Sequence, residues 1–175
     1  MKTIVRYGFI LGVICVLSSG LLAGVNALTQ DKIIQQQKEE EEKTLTQILP
    51  GASRFAAVKA ADEEIIYFKV YDKEDKLIGL AFKASGKGYS STVETMAAMS
   101  PDGKITGIKI ISQSETPGLG SRIAQPSFGE QFRAKNIADL NQVQAITGAT
   151  ISSRAVINSV EKKAKEVMEM VKNGK

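Results

Sequence analysis

The chain has 175 residues, enough for one folded domain with accessory segments, and a hydrophobic content of 43% permits a packed core. It has no histidine, no tryptophan and a single cysteine, Cys15, which excludes the usual zinc sites, iron–sulfur ligation, His-based triads and disulfides. The net charge of +4 is dispersed: Lys2 and Arg6 supply +2, residues 29–61 balance five bases against five acids, and residues 62–175 hold sixteen bases and fourteen acids. No face of one sign emerges, so nucleic acid is not an expected partner. No catalytic side chain and no metal ligand stands out either. Redox or group-transfer chemistry then requires a cofactor held by hydroxyls, backbone amides and glycine turns.

From Gly8 to Leu28 the chain reads GFILGVICVLSSGLLAGVNAL, 21 residues without a charge. At about 1.5 Å per residue this spans a hydrocarbon core of about 30 Å. Lys2 and Arg6 precede it and a mixed, acid-rich stretch comes after it. The positive-inside rule therefore predicts a single-pass anchor in the lipid of a cell membrane, N-terminus cytoplasmic and the remainder extracytoplasmic. Val25-Asn26-Ala27 resembles a signal-peptide cleavage site, but the apolar run exceeds the usual length of such signals. Both readings export the rest of the chain. Cys15 reads as a small apolar residue of the span.

Residues 29–49 are rich in Gln, Glu and Lys and predict a helical stalk, stopped by Pro50-Gly51. The Glu39–Glu42 run reads as a solvated face, since it lacks the spacing of a calcium loop. After Ala61 the period changes to two: Ile66, Phe68 and Val70 alternate with Tyr67, Lys69 and Tyr71, a strand with one buried face. Asp72-Lys73-Glu74-Asp75 turns into a second strand over 76–84, and Gly86-Lys87-Gly88-Tyr89 reads as a loop. Thr92–Ser100 and Lys104–Ser112 form a further hairpin around Pro101-Asp102-Gly103. A short helix is predicted around Phe128–Lys135 and a long one from Ser153 to Lys172, with Val156, Val160, Ala164, Val167 and Val171 on one stripe. Strands followed by helices give an α+β class: a membrane helix and stalk, then an antiparallel sheet with packed helices. The expected divisions are 1–28 anchor, 29–61 stalk and linker, and 62–175 folded domain.

Two segments concentrate glycine, hydroxyl and proline. In Ser114-Glu115-Thr116-Pro117-Gly118-Leu119-Gly120, Pro117-Gly118 suits the centre of a type II turn, and Gly118 and Gly120 let amides approach a ligand. The same loop also serves as a plain connector. The second segment, Thr147-Gly148-Ala149-Thr150-Ile151-Ser152-Ser153-Arg154, opens the long helix, whose N-terminus favours a phosphate, with Arg154 available for a charge-assisted contact. Its hydroxyls equally suit a helix cap. No Lys follows the glycine as a Walker loop requires.

The TGAT run followed by ISS, with SETPGLG about thirty residues upstream, resembles the FMN-binding domain of the Rnf complex G subunit. The homologous C subunit of the sodium-pumping NADH:quinone oxidoreductase shares that domain. The resemblance covers roughly residues 62–172, the N-terminal membrane helix and the Gly88-Tyr89-Ser90 loop. It implies FMN esterified through its phosphate to Thr150 by a flavin transferase that uses FAD, with Thr147, Gly148 and Ala149 shaping the loop. Glu115, Thr116, Gly118, Leu119 and Gly120 are expected against the flavin, with Tyr89, Ser90 and Arg154 nearby. Two positions depart from the family pattern: Gln144 stands where many members have Asp, and Gln113 where many have His. The implied function is electron relay between other membrane subunits of an ion-translocating ferredoxin:NAD oxidoreductase, without independent catalysis. A short domain directly after the membrane helix favours this over the sodium-pumping quinone reductase. An exported ligand-binding module without a redox role and a stand-alone flavoprotein are the readings from other classes.

Overall fold

The computed structural model of the chain describes residues 2–59 and 65–173. It divides into two units, 1–42 and 43–175. The first unit is helical and belongs to α1 (Lys2–Ile48). Within it, Ile4–Gln30 is long and apolar enough to cross a membrane, and its large side chains, Phe9, Leu17, Leu21 and Leu22 among them, are exposed. Outward-facing apolar side chains along a whole helix suit lipid better than water.

The second unit holds a five-stranded antiparallel sheet in the order β1-β2-β3-β4-β5, each strand paired with the next in the chain. The strands are β1 (Arg54–Lys59), β2 (Ile65–Tyr71), β3 (Leu77–Lys87), β4 (Thr92–Met99) and β5 (Ile105–Ser112). Two short 3-10 turns, Gly120–Ala124 and Ile137–Gln142, flank α2 (Pro126–Glu130), and α3 (Thr150–Lys172) ends the described chain. The turns follow their residues. Asp72 Oδ1 accepts the amides of Glu74 at 2.8 Å and Lys76 at 3.0 Å, an Asx turn before β3. Between β4 and β5, Gly103 N donates to Ser100 O at 2.9 Å.

One face of the sheet is covered as the long helical stripe predicts. Val156, Val160, Ala164 and Val167 of α3 are buried on Leu80, Phe82, Ala84, Val93, Ala97 and Met99, with Ile123, Phe128, Phe132 and Leu140 closing the core. Phe128 and Phe132 meet edge to face, ring centres 5.5 Å apart. The opposite face is also buried, which corrects the one-faced reading of β2. Leu45, Ile48 and Leu49, at the end of α1 and just beyond it, pack on Val70, Ala81, Met96 and Ala98. Tyr67 and Val70 are therefore both buried, on different faces.

The divisions shift accordingly. Residues 43–49 and β1 lie in the packed unit, not in a stalk, because α1 buries its last apolar turn on the sheet and Arg54–Lys59 pairs with β2. The boundary expected at 61–62 lies outside the described residues. Gly86 and Lys87 belong to β3 and not to a loop, since they pair with Val93 and Thr92. The short helix closes at Glu130, and α3 begins three residues earlier than expected.

Candidate flavin site

The central hairpin β3–β4 places the site. Its strands pair without interruption from Leu80↔Met99 to Lys87↔Thr92, so residues 88–91 form its tip, closed by Gly88 N donating to Ser91 O at 2.8 Å. Neighbouring β5 ends at Ser112 opposite Glu94 of β4 and delivers residues 113–120 to that tip. Helix α3 starts there as well, pressed on β3 so closely that a Cβ on Gly86 would collide with the Ala155 carbonyl.

Both unusual segments use one device. Leu119 N donates to Thr116 O at 3.2 Å, and Ala149 N to Ile146 O at 2.9 Å. Gly118 (φ 74°) and Gly148 (φ 82°) take the left-handed third position of these turns, which only glycine adopts without strain. Each turn ends beside a cavity of about 420 Å³ lined by Tyr89, Glu115, Thr116, Leu119, Gly120, Gly148, Ala149, Thr150, Ile151 and Ser152. That volume falls in the usual range for a small-molecule or cofactor site. Tyr89, Leu119 and Ile151, three of the domain's large exposed apolar residues, stand at it, an apolar wall suited to a planar aromatic ligand. Of the residues expected there, Thr147, Gly118, Ser90 and Arg154 do not line it. Gly118 instead donates its amide to Ser121 Oγ at 3.0 Å, and the Ser90 and Thr116 hydroxyls lie 3.5 Å apart. Ile151 and Ser152 also line the cavity, although the sequence offers Ser152 only as a helix cap and Ile151 only as part of the run after TGAT; the signal for both is their place one and two residues after Thr150, in the first turn of a helix.

The hydroxyls of the helix start divide into two classes. Ser152 and Ser153 are buried and engaged: Ser152 Oγ donates to Glu115 Oε2 at 2.5 Å, and Ser153 Oγ accepts the Ile146 amide at 3.1 Å. Thr147 and Thr150 are exposed. Only Thr150 of these two lines the cavity. The cap position falls to Ala149, with no side-chain capping bond, so the Thr150 hydroxyl is not consumed as a cap. The first amides of α3 lack partners within the helix and carry its positive end, a favourable setting for a phosphate.

Glu115 lies beneath the cavity, 5% exposed. Its Oε1 accepts the amides of Ser90 (3.0 Å) and Ser91 (2.9 Å) and the Ser91 hydroxyl (3.4 Å). Its Oε2 accepts the Tyr89 amide (3.2 Å) and the Ser152 hydroxyl. Gly88 and Gly120 make room for it: a Cβ would lie 2.5 Å from Glu115 Oε1 at the first and 2.7 Å from Oε2 at the second. Gly120 is thus required by a carboxylate behind the loop. The departing Gln113 also has a task, accepting the Glu115 amide at 2.7 Å, and Gln144 is held through its amide by Gln131 Oε1 at 2.9 Å. Among the described residues no group of three His, Cys, Asp or Glu could hold a metal ion.

Burial opposes the charge of Glu115, but the Ser152 hydroxyl and the amides of Ser91, Ser90 and Tyr89 outweigh it and hold the carboxyl below its ordinary pKa of 4.5. A pKa lower in the folded than in the unfolded state stabilises the fold fully above the unfolded value, and the contribution fades as pH falls through the folded one. Thermal unfolding followed between about pH 3 and 7 should show a midpoint that drops below about pH 4.5. In Glu115→Gln the acid drop should be shallower, starting from a lower midpoint at neutral pH.

The FMN-binding domain family matches residues 88–165, and the RnfG N-terminal region matches residues 1–48. The G subunit of the proton-translocating ferredoxin:NAD(+) oxidoreductase complex of Clostridium ljungdahlii is 30% identical over 90% of this chain and 88% of its own length. The G subunit of the ion-translocating oxidoreductase complex of Methanosarcina acetivorans is 32% identical over 85% and 86%. Its counterpart in the Na(+)-translocating ferredoxin:NAD(+) oxidoreductase complex of Acetobacterium woodii is 31% identical over 91% and 89%. In fold, the chain is similar to the C subunit of the Na(+)-translocating NADH-quinone reductase of Parabacteroides distasonis, with a TM-score of 0.57 over 78% of this chain and 95% of that one, at 18% identity. NqrC of Shewanella oneidensis superposes with a TM-score of 0.50 over 63% of this chain and 64% of its own, at 24% identity.

Proposed function

Because this chain belongs to the RnfG family, the G subunits of ion-translocating ferredoxin:NAD(+) oxidoreductase complexes, and carries the family's FMN-binding domain on a single-pass membrane helix, we propose that it holds its FMN by a phosphoester to Thr150. One observation carries this reading: Thr150 presents the one hydroxyl of the helix start that is both exposed and at the cavity, while Ser152 and Ser153 are buried and occupied. The cofactor supplies the redox chemistry when bound. The protein's residues tether and orient it. Attachment joins Thr150 Oγ1 to the FMN phosphorus of FAD, breaks the pyrophosphate link, releases AMP and frees the threonine proton, with a flavin transferase as catalyst. The amides at the start of α3 receive the phosphate, and Tyr89, Leu119 and Ile151 offer the apolar surface for the ring.

The chain then serves as an electron relay between other membrane subunits, with its folded domain on the extracytoplasmic side. Lys2 and Arg6 before the apolar span support that orientation. The test is a full-length chain produced with a flavin transferase and purified from membranes. It should show flavin absorbance that persists after denaturation, and a reporter active only in the cytoplasm, fused at its C-terminus, should be silent. A colourless chain would refute the flavin, and an active reporter the orientation.

A further inference from the structure

Three chain segments that are distant in sequence meet at one carboxylate. The β3–β4 tip gives the amides of Tyr89, Ser90 and Ser91 to Glu115, and the Ser91 hydroxyl joins them. The start of α3 gives the Ser152 hydroxyl, two residues after Thr150. Glu115 itself opens the loop that contributes Thr116, Leu119 and Gly120 to the cavity. The clasp extends one step further, because Ser91 Oγ accepts the Ser114 amide at 2.8 Å. All three segments line the cavity, and none is joined to another there by paired strands beyond Lys87↔Thr92 and Glu94↔Ser112. A fully bonded buried carboxylate with five donors leaves no lone pair to attract a ligand proton. Its neighbours within hydrogen-bond reach are all neutral, so its negative charge is spread over donors but not cancelled by a cation.

We propose that Glu115 is the positioning residue of this site: it closes the cavity before any ligand arrives, fixes Thr150 against the 116–120 loop, and sets a permanent negative charge behind the cavity. Its effect on the flavin rests on the reading of the cavity as the flavin site. Reduction adds electrons to the ring, and a fixed anion nearby opposes that, so the charge of Glu115 lowers the flavin's midpoint potential. The clasp itself is independent of the cofactor. It is built from donors of this chain alone, and preorganised donors cost no reordering when the ligand binds.

The test uses the full-length chain in detergent, made with and without a flavin transferase. Hydrogen exchange is measured over residues 86–92 and the midpoint potential on the loaded protein. In the unmodified chain and in Thr150→Ala, the amides of Tyr89, Ser90 and Ser91 should already be protected to the level of the loaded chain. Glu115→Gln places an amide donor against the donors that Glu115 accepts. It should speed exchange there by tenfold or more, reduce flavin loading severalfold, and raise the potential of the flavin that is attached. Glu115→Asp, which restores the charge on a shorter arm, should bring the potential back toward wild type. If Glu115→Gln does not fold, Ser152→Ala decides, since it leaves the charge and four donors: exchange should rise modestly while the potential stays near wild type. Protection that appears only after flavin loading would overturn the preformed clasp. Equal exchange and equal potential in Glu115→Gln would overturn the positioning role. A wild-type chain that takes no flavin would refute the flavin reading, and the exchange data would still decide the clasp.

Discussion

Thr150→Ala should abolish covalent flavin while leaving the fold intact. The residue is exposed and takes no capping bond, so its methyl and hydroxyl contribute little to packing, and a surface change of this kind shifts stability by about 0.5 kcal/mol at most. Loss of the oxygen, by contrast, is absolute for a phosphoester. Thr150→Ser keeps the nucleophilic oxygen and should recover an adduct. Thr147→Ala should keep it as well, since Thr147 is exposed but does not line the cavity. Ser152→Ala presents the converse pattern. It strips a donor from the buried Glu115 and should cost about 1–3 kcal/mol, yet the adduct persists because Thr150 remains. Intact mass and thermal unfolding on the same four variants separate chemistry from stability. A Thr150→Ala chain that still carried the flavin mass would place the attachment elsewhere.

The second large effect concerns two glycines of one loop that behave differently. A Cβ on Gly120 would lie 2.7 Å from Glu115 Oε2, 2.8 Å from Glu115 Cβ and 2.9 Å from Ser152 Oγ, and both neighbours are buried and mutually bonded. They cannot yield without breaking the clasp, so Gly120→Val should cost about 3 kcal/mol and eliminate flavin loading. At Gly118 a Cβ meets nothing within 4 Å, and only the backbone at φ 74° objects. Gly118→Val should therefore cost about 1–2 kcal/mol, and the chain should fold, load and show a shifted flavin spectrum. Circular dichroism and flavin content measured together on the two variants check the contrast. Equal, mild behaviour would mean that Glu115 does not sit behind Gly120.

The motifs themselves were legible. Pro117-Gly118 announces its turn by residue type, the 92–112 hairpin by its Pro-Asp-Gly, and α3 by its valine stripe, whereas the turn closed by Ala149 on Ile146 carries no such signal beyond Gly148. What the motifs do was less legible. Gly120 reads as an opening toward a ligand and Gly88 as part of a plain loop, yet the space at both is taken by Glu115, and no local pattern reveals that a single carboxylate would turn inward across 26 residues of separation to cap a hairpin tip. The hydroxyls at 152 and 153 read as helix caps, but tertiary partners claim both, leaving Ala149 at the cap. The stalk misled for a similar reason. Thr44–Ile48 continues a Gln- and Glu-rich helix and Leu49 follows it, so these few apolar residues look incidental until the sheet's second face needs a cover. With that face covered, β2 loses the simple alternation expected of a one-sided strand.

A single hydroxyl, that of Thr150, should take the flavin, and peptide mapping by mass spectrometry locates it. The full-length chain made with an active flavin transferase is digested and fragmented, with Gln144→Asp prepared alongside as a control for recognition by the transferase. The expected result is the mass of FMN minus water on one peptide, localised to Thr150. An unmodified Thr150 in both chains, or the flavin found on Thr147, Ser152 or Ser153, would contradict it.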